Sequence, residues 1–318
     1  GARSNAVTKP VNVAIAVAVA MAESKADVTV EGSIISRGDL SITSFSNNQL
    51  VALADSSPLP IPGAGKVPSA ALAVTVLDSD SNVRVTSEAR LEAEGSVTVG
   101  AHTIDRNATV ARSAAGDGLV GVAIAVSDED GTTDATIEGS ILAEGDVTIQ
   151  ATQAKLAVEK NRLFGVVPSI FTGVAATAGV NTPLVGQVLD DIQKKATGTV
   201  VKSLFKKVAG VSDKLSSSGK SAGQVKPFEA AGGVAWVEDS NRVNASIQNP
   251  TNDPASKVQS KAGSVSVTAS VNNRPDVTAG ADIGSPSDKA IDKGTDPALF
   301  SGSAAFARGI YTNEAKAI

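Results

Sequence analysis

One phrase recurs along this chain and limits what it can fold into. A run of small apolar residues leads into an acidic, polar stretch of turn character. A short alternating strand follows, then Gly with a small polar or acidic residue, then a second alternating strand. The second strands are Gly38-Asp39-Leu40-Ser41-Ile42-Thr43, Gly95-Ser96-Val97-Thr98-Val99, Gly145-Asp146-Val147-Thr148-Ile149 and Gly263-Ser264-Val265-Ser266-Val267. Their glycines stand 57, 50 and 118 residues apart. The last gap equals two periods, or one period with an insertion. A unit that cannot bury its own apolar face must stack on its neighbours, so the period predicts a stacked repeat.

The first halves agree. They read Val13-Ala14-Ile15-Ala16-Val17-Ala18-Val19-Ala20, Ala71-Leu72-Ala73-Val74-Thr75-Val76, Val122-Ala123-Ile124-Ala125-Val126 and Gly233-Val234-Ala235-Trp236-Val237. A fifth begins at Ala304-Ala305-Phe306-Ala307, and the sequence stops at Ala315-Lys316-Ala317-Ile318, inside the phrase. The expectation is a chain that continues past Ile318, with end-to-end stacking of identical copies as the other arrangement.

The residues that fill the phrase suit strands. Val and Thr favour a pleated surface, and Ala at alternate positions predicts a stack with one bulky layer and one close-packed layer. Val28, Val30, Val97, Val99, Val147 and Ile149 are the expected core. The fold class is therefore all-β, a right-handed parallel β-helix (β-solenoid) with a short α-helical insertion. About two rungs are expected in each repeat. Residues 1–160 and 231–318 carry the repeats, and 161–230 the insertion.

Within the insertion, Thr182-Pro183 is a helix start. Leu184, Val185, Val188, Leu189 and Ile192 follow at helical spacing, then Val200, Val201, Leu204, Phe205 and Val208. Lys194, Lys195, Lys202, Lys206 and Lys207 lie on the polar side. This pair of amphipathic helices reads as a hairpin on the solenoid flank with solvated lysines. A basic docking helix is the sharper alternative. The apolar stretch from Leu163 to Val180 is broken by Gly165, Pro168 and Gly173 and reads as buried strand or loop, with no transmembrane span.

Composition narrows the chemistry. No cysteine is present, so thiolate metal sites, disulfides and cysteine nucleophiles are excluded. A net charge of −5 supplies no basic footprint for nucleic acid. Aromatics make up only 3% of the chain, which leaves few rings to stack on sugars.

Individual motifs have structural explanations. Arg37-Gly38-Asp39 is the tripeptide read by integrins, but it occupies the same corner as Glu94-Gly95-Ser96 and Glu144-Gly145-Asp146, where positive φ would suit Gly. Asp78 and Asp80, with Asp128 and Asp130, place oxygen ligands at alternate positions, as a calcium turn requires; no other cofactor is expected. Neither segment has the spacing of an EF-hand or of a calcium-binding nonapeptide. The single histidine, His102, reads as a surface residue beyond a strand rather than a triad member. Paired carboxylates could cleave glycosides, yet here each recurs with the repeat. Thr43, Thr98 and Thr148 are mixed with Ser266, an imperfect rank for ice binding. Asn107-Ala108-Thr109 and Asn244-Ala245-Ser246 match the short glycosylation pattern.

The alternation Gly-Val-Ala-Ile-Ala-Val, acidic stretch, Ala-x-Ile, Gly-Asp-Val-Thr-Ile-x-Ala resembles the repeat regions of giant exported bacterial proteins, the filamentous adhesins of haemagglutinin-like type. Residues 13–160 and 231–318 carry the resemblance; 161–230 depart from it. The resemblance implies a right-handed parallel β-helix, a secreted or bacterial cell-surface location, and a structural or adhesive role without enzyme activity. Partners would be neighbouring repeats, copies of the chain, or a surface glycan or host ligand. A polysaccharide-binding or polysaccharide-cleaving β-helix is the alternative.

Overall fold

A computed structural model describes residues 2–5, 14–56, 69–113, 120–156, 158, 173–177, 228–248, 257–273, 276–281 and 300–318. The described residues are nearly all strand, in three sheets whose neighbours all run parallel. Sheet I holds the long strands β2 (Ala14–Val30), β5 (Ser69–Val85), β8 (Val120–Ile137), β12 (Phe228–Ile247) and β16 (Phe300–Ala317), stacked in that order. Sheet II holds the short strands β3 (Ser33–Ser36), β6 (Arg90–Ala93), β9 (Ser140–Ala143) and β13 (Val258–Ser260). Sheet III follows the path β1 (Ala2–Asn5), β4 (Leu40–Asp55), β7 (Val97–Arg112), β10 (Val147–Lys155) and β14 (Val265–Asn272). Two further strands, β11 (Gly173–Thr177) and β15 (Asp276–Gly280), extend it. The chain passes through sheets I, II and III in turn and re-enters each beside its previous strand.

The register explains the sequence period. Leu40 pairs with Val97, Val97 with Val147, and Val147 with Val265. Each repeat thus gives one strand to each sheet, a single circuit rather than the two rungs expected. The long gap before Gly263 is one period plus an insertion. Part of that insertion interrupts sheet III: β10 pairs with the first half of β7, and β11 resumes against Ala108–Arg112. Gly173-Val174-Ala175-Ala176 is accordingly a sheet III strand, although it imitates the first strand of the repeat. The two helices expected between 182 and 210 lie outside the described residues.

The acidic stretches expected as turns are not turns. Glu23-Ser24-Lys25 lies inside β2, Asp78-Ser79-Asp80 inside β5 and Asp128–Gly131 inside β8, each strand running straight through. A 17-residue strand spans about 55 Å. Parallel pairing, on both sides of β5 and β8 and on one side of the edge strand β2, satisfies the backbone, so a local polar run does not end the strand.

The core has two apolar ends. Where the three sheets meet, Val83, Val85, Leu91, Val97, Val99, Ile137, Ile141, Val147 and Ile149 are buried together, with Val28 partly buried against them. All six residues expected in the core belong to this cluster. At the other end, alanines of sheet I (Ala16, Ala18, Ala71, Ala73, Ala123, Ala125) meet Ala52, Ala54, Ala111 and Ala176 of sheet III. Close packing of such small side chains requires the two sheets to approach each other there.

At the corner before sheet III, each circuit ties itself to the last. Ser96 N donates to Asp39 Oδ1 (2.8 Å), Asp146 N to Ser96 Oγ (3.2 Å) and Ser264 N to Asp146 Oδ1 (2.7 Å). This ladder accounts for the small polar or acidic residue after each glycine. The hydrogen bonds from Ser264 hold the Asp146 carboxyl below its usual range. The glycines themselves do not adopt positive φ, contrary to expectation; only Gly32 and Gly173 do among the described residues. Gly95, Gly145 and Gly263 are needed because the preceding circuit lies too close. A Cβ on Gly95 would sit 2.3 Å from Asp39 Oδ1 and 2.9 Å from the Asp39 backbone nitrogen. Gly95→Val should therefore force adjacent circuits apart and cost about 1–3 kcal/mol, measured by urea unfolding. Gly38→Val, with nothing within 4 Å of its added Cβ, is the matched control with the smaller expected loss.

Candidate functional site

Between the two apolar ends, the facing surfaces of sheets I and III carry a buried polar seam. It is built from inward-pointing strand positions. On β7 these run Thr103, Asp105, Asn107 and Thr109; on β8 they include Ser127, Glu129 and Thr133; on β12 they are Asp239 and Asn241. Partners lie across the gap. Thr103 meets Thr133 (2.8 Å), Thr75 meets Thr109 (2.5 Å), and Ser81 Oγ donates to Ser44 Oγ (2.9 Å). Asp105 accepts from Asn48 Nδ2 and Ser79 Oγ, both at 2.9 Å. Near one end of the ladder, Gln153 Nε2 donates to Asn241 Oδ1 (2.6 Å), and Asn241 Nδ2 donates to Asn313 Oδ1 (2.8 Å).

The seam centres on a buried ion triad. Lys155, the last residue of β10, places its ammonium between Glu129 and Asp239, which are in-register neighbours on β8 and β12. The side chains of Lys155, Glu129 and Asp239 are only 4%, 5% and 0% exposed. Lys155 Nζ donates to Asp239 Oδ2 at 2.7 Å and is also paired with Glu129 Oε2. Burial pulls the Lys155 pKa down, but the Glu129 and Asp239 charges outweigh it and hold the pKa above its usual value. Glu129 Oε1 accepts from Asn107 Nδ2 (2.7 Å) and Ser127 Oγ (2.8 Å). Asp239 Oδ1 accepts from Asn241 Nδ2 (2.8 Å), and Oδ2 from Asn273 Nδ2. Desolvating these charges is costly, and such a network tolerates little change of register.

The seam was not read from the sequence, where Asn107 and Thr109 stood out only as a glycosylation pattern and are in fact buried, yet a signal existed. The inward phase of β7 reads Val97, Val99, Ala101, Thr103, Asp105, Asn107, Thr109, Ala111, polar only in its middle. Aligned against Ser127, Glu129 and Thr133 of β8, that phase marks a polar layer once the strands are known to be continuous.

The four candidate calcium ligands are placed differently. Asp78 and Asp130 are register partners pointing outward from sheet I, whereas Asp80 pairs with Thr132 and Asp128 with Val76. No cluster of three or more metal-ligating groups occurs among the described residues. Burial raises the Asp78 pKa, as do the nearby charges of Asp80 and Asp130. Burial also pushes Asp128 up to about 6, aided by Glu238, Asp130 and Glu129. Because this folded-state pKa is raised, the unfolded chain loses its proton first. The destabilisation therefore grows as pH rises from about 4 to 6 and is complete above 6. The full shift corresponds to at most about 3 kcal/mol, reduced to about 1 kcal/mol by solvent screening of a partly exposed group. Asp128→Asn should raise stability by that amount at pH 7.5 and leave it unchanged at pH 4, checked by thermal unfolding at both values.

The remaining candidates are structural in place. Asp39 of the Arg-Gly-Asp corner uses its carboxylate on Ser96 N. His102 lies inside β7, half-buried, with Nδ1 2.7 Å from Thr152 Oγ1, and burial lowers its pKa. Thr98 and Thr148 do form an outward rank, between Ser41 and Ser266; Thr43 belongs to the next rank with Gly100, Gln150 and Thr268. On the outer face of sheet I, Trp236 stacks with Phe306 (centroids 6.4 Å apart), and the Arg308 guanidinium lies 4.9 Å from the Trp236 ring. No helix among the described residues is long and apolar enough to cross a membrane.

No family model, no curated protein and no solved structure matches this chain.

Proposed function

We propose that this chain is a structural and adhesive segment of a large secreted or cell-surface bacterial protein, built as a right-handed parallel β-helix. The observation that carries the reading is the repeated circuit through three parallel sheets, with the Asp39–Ser96–Asp146–Ser264 ladder linking successive circuits. Each circuit adds about 4.8 Å along the stacking axis and presents a new copy of the same outward ranks. Such a surface binds by repetition, and its role is not enzymatic. Five strands of sheet I rise only about 20 Å, so a fibre or surface layer needs further circuits or further copies. Cryo-electron microscopy of the parent protein on its cell surface, joined to a binding assay on immobilised glycans and host cells, tests this. Rods with a 4.8 Å repeat and saturable binding are expected; a compact particle without binding would refute it.

A polysaccharide-binding or polysaccharide-cleaving role is the second reading. It is favoured by the Trp236–Phe306 pair, one rank from the Asp128 and Glu238 carboxylates on the outer face of sheet I. Aromatic faces pack on sugar rings, and a carboxyl with raised pKa can donate a proton to a glycosidic oxygen. Glycan binding lost in Phe306→Ala, or glycan turnover lost in Asp128→Asn, would choose this reading over the first.

A further inference from the structure

We propose that Lys155 and Asp239 condense to an intramolecular amide, a covalent staple between sheets III and I, with Glu129 transferring the proton. Three observations converge. The Lys155 nitrogen already lies 2.7 Å from Asp239 Oδ2, on rigid strands 84 residues apart in sequence. A second carboxylate, Glu129, contacts the same nitrogen and can take a proton from it. All three side chains are shut away from water, the product of the condensation.

The groups around Asp239 are divided as acyl transfer requires. Oδ1 accepts from Asn241 Nδ2 at 2.8 Å, so a donor is in place for the oxygen that becomes anionic when the carbon is attacked. Oδ2, the oxygen that leaves, is the one contacted by Lys155 and Asn273. Glu129 is held by Asn107 and Ser127 through Oε1, which leaves Oε2 for the lysine.

The step balances without a co-reactant. The Lys155 ammonium gives one proton to Glu129 and becomes an amine. Its lone pair forms the N–Cγ bond to Asp239, and a tetrahedral centre results. Glu129 returns that proton to Oδ2, a second proton leaves nitrogen for the same oxygen, and the Cγ–Oδ2 bond breaks to release water. An ammonium and a carboxylate become a neutral amide, and Glu129 ends ionised as it began. Amide formation from these ions is unfavourable in bulk water. Here fixed geometry supplies an effective concentration of about 10⁵ M or more, and one buried ion pair is removed from a low-dielectric interior. A chain with no cysteine has no disulfide to perform this stapling.

The test is the intact mass of the folded chain, followed by tryptic peptide sequencing. The wild-type protein should be lighter than its sequence by one water and should yield a branched peptide joining Lys155 to Asp239. Lys155→Arg keeps the cation but should show the full mass. Glu129→Gln should lose water at least ~100-fold more slowly. The proposal is overturned if cooperatively folded wild-type protein keeps its full mass over days, or if either variant loses water at the wild-type rate. A branch at any other pair also overturns it. Mapping in the wild-type protein decides the matter even if a variant fails to fold.

Discussion

Relative to the full-mass chain in which Lys155 and Asp239 are still ions, Lys155→Met is expected to destabilise the fold by about 3–5 kcal/mol, the loss characteristic of breaking a buried ion pair from one side. The substitution keeps the apolar stem and removes only the charge. Glu129 and Asp239 would then face each other from adjacent strands, both buried, with no cation between them. Asn107, Ser127, Asn241 and Asn273 would still donate to them. Neutral donors do not cancel two negative charges in a medium of low dielectric constant. Equilibrium urea unfolding at pH 7 measures the loss. A change under about 1 kcal/mol, the range of exposed pairs, would mean that the seam is open to water. Lys25, paired with Asp27 on the exposed surface, serves as control: Lys25→Met should alter the unfolding midpoint little.

Ile149→Ala is expected to cost about 2–5 kcal/mol, the range for truncating a large side chain in a closed core. Ile149 is fully buried where sheets I, II and III meet, between Val99 and Val267 in its rank. The cavity cannot collapse readily, because β10 is pinned by backbone pairing to β7 on one side and β14 on the other. Val265→Ala makes the contrast. That residue belongs to the same sheet but is 44% exposed, and its loss should stay under about 1 kcal/mol. If the two substitutions cost the same, the interior is not packed as described.

The structure decided that each repeat makes one circuit rather than two, while the sequence by itself determined the all-β class, the parallel stacking, the repeat spacing and the Val and Ile core. These follow from period two along a strand and from a repeat spacing that became the pairing register, Leu40 to Val97 to Val147. Local pattern carries that information because each strand of such a stack meets a near-copy of itself. Only the tertiary structure decided the rest. Asp78-Ser79-Asp80 and Asp128–Gly131 read as turns because turn residues are recognised locally, yet parallel neighbours on both sides kept those strands straight. The corner glycines read as sites of positive φ, whereas the constraint on Gly95 is the backbone of a circuit 57 residues earlier. The triad was illegible for the same reason. Glu129, Lys155 and Asp239 belong to three strands and meet only when sheet III folds against sheet I. No spacing along the chain encodes a contact that register and sheet packing create together.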